Sequence, residues 1–269
     1  VSDRLTAPFG RRAVPVTARE VRGAYVVLGC ADADGPRPAA GQFYMLSSAV
    51  RWGGGEAQRP FLPRAFSVLR TPPAGIELQF LVEDVGPGTK RLCELGPGDE
   101  LLLVGPLGIG FSPPREQRRP LLVGGGVGIA PLAIWQDELG PAAHALLGFR
   151  DAAHAEGAGL LVRGRVATDD GSVGHRGLVT DLLLEELDRS DRVEVYACGP
   201  PAMLEAVRLI CAARGVPAQL ALESGMACGF GACFGCVVPT RSGYVRLCLE
   251  GPVIDAASLE TVAAAGAGH

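Results

Sequence analysis

The spacing of apolar and polar residues changes twice along this 269-residue chain, and each change marks a boundary. Between about residues 12 and 110 short apolar runs are separated by Gly and Pro clusters: YVVLGC (25–30), QFYMLS (42–47), RAFSVLR (64–70), IELQFLVE (76–83) and DELLLVG (99–105). Strand-length runs at that spacing predict an antiparallel barrel or sandwich. RWGGGEAQRP (51–60) reads as a flexible loop within it, and FSPPREQRRP (111–120) as a Pro- and Arg-rich linker. Beyond the linker, apolar strands alternate with segments of helical period. LLVGGG, HALLGFR (144–150) and VEVYACGP (193–200) are the strands; APLAIWQDELG (130–140), VTDLLLEEL (179–187) and PAMLEAVRLICAARG (201–215), closed by Gly215, are the helices. That alternation predicts an α/β unit with a parallel sheet covered on both faces. The last fifty or so residues break the rhythm again. They hold a cysteine-rich loop, the stretch VVPTRSGYVRLCLEGPVID (237–255), which predicts a short hairpin, and a weak or frayed tail, LETVAAAGAGH. The chain thus divides into residues 1–113, 114–217 and 218–269.

Composition narrows the class. Hydrophobic residues make up 48% and charged ones 20%, as in a folded globular protein, and the formal charge of −4 gives no electrostatic footprint for nucleic acid. No apolar run reaches the roughly 18 residues of a membrane span. The opening VSDRLTAPFGRRAVPV lacks the apolar core of about 7–15 residues that a signal peptide needs. The expected location is therefore cytoplasmic, where thiols stay reduced and eight cysteines ask for an explanation other than disulfides.

Four of the eight lie in the last unit. Cys228, Cys233, Cys236 and Cys248 follow the spacing C-x4-C-x2-C-x11-C, which is the plant-type spacing for a [2Fe–2S] cluster. Gly229, Gly231, Ala232 and Gly235 fill the gaps with residues that let backbone N–H groups come close to sulfur. Phe230 and Phe234 are expected to keep water away. Zinc is the competing metal, but structural zinc favours two short Cys hooks, and here a triple stands apart from a single fourth ligand.

The turn LLVGGGVGIAPL (121–132) joins a buried strand to a helix through a glycine run, so backbone N–H groups and the helix start can meet a pyrophosphate. Its pattern, Gly126-x-Gly128-x-x-Pro131, departs from the usual dinucleotide fingerprint, and such a turn alone also fits simple packing. Proline in the first helical turn costs little because its missing N–H needs no partner. A second strand–turn–helix, YACGPPAML, would lie at the same carboxyl edge of the sheet, where ligands bind in this architecture. RAFSV (64–68) taken by itself fits a solvated strand face as well as a cofactor site. His144, His154, His175 and His269 show neither metal-ligand nor triad spacing.

Taken in order, R-x-F-S, G-T, G-P-x-G-x-F, G-G-G-x-G-x-x-P and C-G-P resemble the ferredoxin–NADP reductase group, an FAD-binding barrel followed by a nicotinamide domain. With the C-terminal cysteine unit, residues 12 to 254 resemble the electron-transfer subunits of dihydroorotate dehydrogenase B. The resemblance implies FAD, NAD and a [2Fe–2S] cluster as cofactors. It implies that Arg64 pairs with the FAD pyrophosphate, that Ala65 and Phe66 line the flavin (Phe66 standing where many reductases have Tyr), and that Ser67 lies near flavin N5. Leu81, Val82 and Glu83 would border the flavin, and Gly88 and Thr89 would offer N–H and hydroxyl groups to phosphate. Gly124, Gly125, Gly126, Gly128, Pro131, Cys198, Gly199 and Pro200 would hold the nicotinamide nucleotide, with Cys198 either near the ring or a buried structural thiol. Cys228, Cys233, Cys236 and Cys248 would ligate the cluster, while Cys30, Cys93 and Cys211 would be core. No side chain is expected to act as a general base.

The resemblance names the partner as the FMN-containing catalytic subunit that oxidises dihydroorotate in de novo pyrimidine biosynthesis, in a heterotetramer of two of each. Electrons would run from its FMN through the cluster and FAD to NAD+, with the Cys228–Cys248 loop near the subunit interface. Reductase subunits of the same architecture that serve hydrogenase-, sulfide- or ferredoxin-linked complexes are the nearest alternative. A zinc-stabilised binding module without enzymatic activity is the alternative of another class. For the nucleotide, Arg150 speaks for NADP and Asp151 for NAD, and neighbouring opposite charges cancel; the resemblance favours NAD.

Overall fold

The computed structural model describes residues 10–53, 60–72, 77–190 and 192–262. Most of the loop expected over 51–60, the first residue of the expected strand 76–83, and the end of the tail expected over 259–269 lie outside the described residues.

Six strands, β1 (Arg12–Arg22), β2 (Tyr25–Ala31), β3 (Phe43–Ser48), β4 (Arg64–Arg70), β5 (Glu77–Glu83) and β6 (Glu100–Leu107), close a barrel in the order β1-β2-β5-β4-β3-β6. Leu28, Tyr44, Leu46, Phe80 and Leu101 fill it without solvent exposure, and an apolar side chain so buried stabilises the fold by roughly 1.5–3 kcal/mol. Five of the six strands coincide with the apolar runs of the sequence. β1 does not stand out because only Val14 and Val16 of its eleven residues are buried, and Pro15 interrupts it. A short helix, α1 (Pro87–Cys93), joins β5 to β6.

The second unit runs β7 (Arg119–Gly125), a 3-10 turn over Gly126–Ile129, α2 (Ala130–Leu139), β8 (His144–Phe149), α3 (Ala152–Ala155), β9 (Gly164–Thr168), β10 (His175–Arg176), α4 (Val179–Arg189), β11 (Val193–Cys198), α5 (Pro201–Arg214) and β12 (Ala218–Ala221). α4 buries Val179, Leu182, Leu183 and Leu187 on one stripe, and α5 ends where Gly215 turns left-handed at φ +62°. The chain then makes a hairpin of β13 (Val237–Thr240) and β14 (Gly243–Arg246), a short helix α6 (Leu247–Glu250), and β15 (Val253–Asp255). The sheet order is β10-β9-β8-β7-β11-β12-β15, all parallel except β15, which pairs antiparallel with β12. The hairpin expected over 237–255 is thus β13–β14, and the end of that stretch joins the larger sheet instead.

The linker is pinned to the sheet. Ser112 N–H donates to Gln219 Oε1 (2.8 Å), its carbonyl accepts from Tyr196 Oη (3.1 Å), and Arg115 N–H donates to buried Glu194 (2.8 Å). Phe111 stacks on Trp135 and meets Tyr196 edge-on. Across the junction Arg70 of β4 pairs with Asp137 of α2 at 2.7 Å.

Candidate functional site

β3 and β4 run antiparallel, with Ser67 opposite Phe43 and Ala65 opposite Met45, so these four share one face; Phe66 and Arg64, opposite Tyr44 and Leu46, share the other. The Arg64 guanidinium donates to Leu62 O (2.6 Å) and lies 6.0 Å from the Trp52 ring centre. It also lies over Gly88, where a Cβ would stand 2.9 Å from Arg64 Nε. The fold therefore brings together Arg64 and the Gly88–Thr89 turn, which are far apart in sequence. The Thr89 hydroxyl accepts from the N–H groups of Val85 and Gly86 and donates to Gly86 O, so it holds the α1 turn in shape. Leu81 and Val82 are buried on opposite faces of β5, and the Glu83 carboxylate meets His154 Nε2 at 3.1 Å. Trp52 was not singled out in the sequence. Its indole Nε1 is buried with no hydrogen-bond partner among the described residues; a Trp beside an Arg in an otherwise small-residue stretch is the signal that points to it.

β7 and β11 are adjacent, with Gly124 opposite Cys198, so both glycine turns open at the carboxyl edge of the sheet. The strand order also reverses there, β8 and β9 lying to one side of β7 and β11 and β12 to the other. A Cβ on Gly128 would stand 2.5 Å from Cys198 O, and one on Gly125 2.7 Å from Met203 Sδ, so the two turns touch backbone to backbone. Gly126 has φ +54° and open space around its Cβ direction. Pro131 lies in the first turn of α2, and Gly199–Pro200 lead into α5. Cys198 is buried, and burial together with the charge of Glu223 holds its thiol well above the ordinary range. Asp151 is already engaged. Its Oδ1 accepts from the N–H of His154 (3.1 Å) as the cap of α3 and meets His154 Nδ1 at 2.7 Å, and Arg150 Nε stands 3.4 Å from its Oδ2.

The four tail cysteines form two pairs. Cys236 Sγ donates to Cys248 Sγ at 3.3 Å, and Cys233 N–H donates to Cys228 Sγ at 3.4 Å while the two side chains also interact. Gly235 N–H donates to Cys233 Sγ at 3.4 Å. Burial pushes the Cys228 thiol up, but the N–H groups of Cys233, Phe230 and Ala232 outweigh it and bring the thiol down to about 7. Cys248 goes the other way, to about 12, because it is desolvated and adjoins Cys236. A loop whose amides already point at sulfur, with Gly229 and Gly231 at φ +79° and +87°, fits thiolates bound to metal. Two pairs of thiols are the donor set that two irons with two cysteines each would need. Phe230 and Phe234 are 49% and 62% exposed, so their rings stand at the surface of the loop. Phe234 sits at φ +58° with Arg246 5.1 Å from its ring centre.

The loop rests on the barrel. A Cβ on Gly229 would stand 2.5 Å from Met45 Cγ and 3.1 Å from Leu107 Cδ1. Met45 belongs to β3, next to the RAFS strand, while the Gly126–Ile129 turn touches β5 on that strand's other side. The strand that carries Arg64 to Ser67 therefore lies between the cysteine loop and the glycine turns.

Known proteins match the same parts. The iron–sulfur cluster binding domain of dihydroorotate dehydrogenase B matches residues 223–260, and the oxidoreductase NAD-binding domain matches residues 153–209. Among solved structures, NADH-dependent reduced ferredoxin-NADP oxidoreductase superposes with a TM-score of 0.78 at 24% identity, over 94% of this chain and 92% of that one. A ferredoxin NADP+ reductase from Neisseria gonorrhoeae gives 0.61 at 18% identity, over 76% of this chain and 92% of that one. These two show a shared fold. The dihydroorotate dehydrogenase B (NAD(+)) electron transfer subunit of Caldanaerobacter subterraneus subsp. tengcongensis is 38% identical over 81% of this chain and 86% of its own length. That of Geobacillus thermodenitrificans is 39% identical over 80% and 84%. At that identity and coverage, on a barrel, a nucleotide sheet and a paired-cysteine loop in the same order, the chain belongs to the family of dihydroorotate dehydrogenase B electron transfer subunits.

Proposed function

We propose that this chain carries electrons between the FMN of a dihydroorotate dehydrogenase catalytic subunit and NAD, through a [2Fe–2S] cluster and FAD, in pyrimidine biosynthesis. The observation that supports it is spatial order: the RAFS strand lies between the paired-cysteine loop on β3 and the glycine turn on β5. Bound FAD supplies the exchange between two-electron hydride transfer with nicotinamide and one-electron transfer with the cluster. The residues present fit that cargo. Arg64 offers a planar fork to a pyrophosphate, and its guanidinium lies close over Gly88. Ala65, Phe66 and Ser67 present the strand to the flavin, with Leu81, Val82 and Glu83 beside it, and Gly88 and Thr89 shape the phosphate turn. Gly124, Gly125, Gly126, Gly128, Pro131, Cys198, Gly199 and Pro200 hold NAD where the two turns meet. Cys228 and Cys233 take one iron, Cys236 and Cys248 the other.

The barrel unit is 1–113 and the nucleotide unit begins at 114; the boundary expected at 217/218 moves, because β12 and β15 belong to the nucleotide sheet and the cluster unit is the segment 223–251 inserted between them. The partner docks at the exposed cluster face bearing Phe230, Phe234 and Tyr244, in a heterotetramer of two of each subunit. The complex works in the cytoplasm; among the described residues no helix is long and apolar enough to cross a membrane. The test is an absorption spectrum of the freshly purified chain under argon, before and after NADH. Flavin bands with broader cluster absorption, both bleached by NADH, are expected; a colourless protein that retains zinc would refute the proposal.

A further inference from the structure

Where the barrel meets the nucleotide sheet, one buried imidazole gathers partly exposed charged groups, of which Glu83 also borders the proposed flavin site. His154, on α3, is 8% exposed. Its Nδ1 meets Asp151 Oδ1 at 2.7 Å, within its own unit. Its Nε2 lies 3.1 Å from Glu83 Oε1 on β5 of the barrel and 2.7 Å from Arg150 NH2, and the one ring nitrogen can donate to the carboxylate or accept from the guanidinium but not both at once. Tyr25 of β2, which pairs with Glu83 across the ladder, meets the imidazole edge-on at 5.7 Å. The hydrogen bond from His154 also keeps Asp151 ionised, its carboxyl held down at about 2.

The imidazole therefore has an inward arm, Nδ1 to the cap of its own helix, and an outward arm, Nε2 across the junction to the barrel. The outward arm sits where the junction is tightest. A Cβ on Gly23 would run into Ala153 O, and Ala24 N–H donates to that same carbonyl at 3.1 Å. A Cβ on Gly157, just after α3, would stand 2.9 Å from the Tyr25 ring and 3.0 Å from Ile129 Cδ1. Ile129 ends the glycine turn, and its Cγ2 is 3.0 Å from the Cβ direction of Gly124. An unbroken run of contacts thus leads from His154 through Tyr25 and Gly157 to the turn, with no slack for side-chain adjustment.

We infer that His154 is a positioning residue for hydride transfer: its Nε2 arm to Glu83 sets how closely the glycine turn of the nucleotide unit approaches the flavin side of the barrel. Glu83 belongs to the stretch proposed to border the flavin, so the contact fixes one site against the other. The inference rests on the proposed function for the identity of the reaction, while the latch itself is a matter of this chain's own contacts.

Two substitutions separate the arms. H154Q places an amide at the position of Nε2, able to donate to Glu83 and accept from Arg150. H154N places one at the position of Nδ1, preserving the cap contact and losing the outward arm. Three quantities are read on the purified chain with its cofactors: hydrogen exchange at the Ala24 amide, the rate of flavin bleaching at saturating NADH, and the NADH dissociation constant. In H154N, Ala24 should exchange about tenfold faster, because its bond to Ala153 spans the loosened junction. Bleaching in H154N should slow about tenfold, since misplacement of an ångström or less is enough to cost that much. The dissociation constant should stay within about twofold, and H154Q should stay within about twofold of wild type in all three. An H154N chain that behaves as wild type overturns the inference. So does equal impairment of H154N and H154Q, which would make the ring a support for α3 alone. A wild-type chain that holds flavin but is not bleached by NADH overturns the proposed function and the positioning role with it, whatever Ala24 does.

Discussion

A methyl group on Gly128 would stand 2.5 Å from a carbonyl oxygen of the neighbouring turn, whereas one on Gly126 would meet open space at φ +54°. The two glycines serve different ends: Gly128 permits close approach of two backbones, and Gly126 permits a left-handed turn. G128A should destabilise the chain by about 1–3 kcal/mol, as overpacking does, and weaken NADH binding, because both turns must part. G126A should cost about 1–2 kcal/mol and leave the Gly128–Cys198 contact in place. Thermal unfolding with an NADH titration distinguishes them. Arg64 is a charge that donates to one acceptor among the described residues, Leu62 O, and R64A should lower the flavin content of the purified protein; unchanged content would remove Arg64 from the site. At this scale the sequence was readable where chemistry is local, as in the cysteine spacing and the glycine runs. His154 and Trp52 were not readable, because their partners, Glu83 and Arg64, lie 71 and 12 positions away and only folding brings them together.

Strands escaped the apolar pattern for two reasons. β1 buries two of its eleven residues, and β12 and β15, at four and three residues, are too short for a period to show. Such strands exist because a neighbour supplies the missing hydrogen bonds, and pairing partners are not written locally. The cysteine loop was legible as four closely spaced thiols, but the direction of its aromatic rings was not. Phe234 takes up a left-handed backbone and turns outward, a choice set by the path of the chain rather than by apolarity. The amides of Cys233 and Gly235 serve the loop's own sulfurs, its carbonyls at Gly231 and Cys236 accept from Arg246 and Leu247 of the same unit, and Gly229 meets the barrel at Met45 and Leu107. C233S should therefore lose the cluster absorption while NADH still reduces FAD at a rate within about threefold of wild type. Joint loss of both would mean that the loop and the flavin face fold as one.

Over the whole molecule, the three-part division was visible from the change of rhythm, and the linker was visible as a change of composition. What composition did not reveal is that the linker is tied down. Ser112 and Arg115 are hydrogen-bonded to Gln219 and Glu194, Phe111 is packed on Trp135, and Arg70 reaches Asp137. A Pro- and Arg-rich segment thus joins the barrel to the sheet as a fixed strut, and His154 closes the gap on the far side. The third unit is bound in differently. The chain leaves the sheet after β12 and returns as β15 directly beside it, with Leu222 N–H donating to Pro252 O at 2.9 Å. The entire cysteine segment, residues 223–251, is thus a detour whose exit and re-entry share a hydrogen bond. In the grammar of fold evolution this is a parenthesis: it can be opened or closed between two neighbouring strands without disturbing the order of the sheet. Its imprint would outlast it, since a barrel without the detour would show Met45 and Leu107 to water as the seat of something missing.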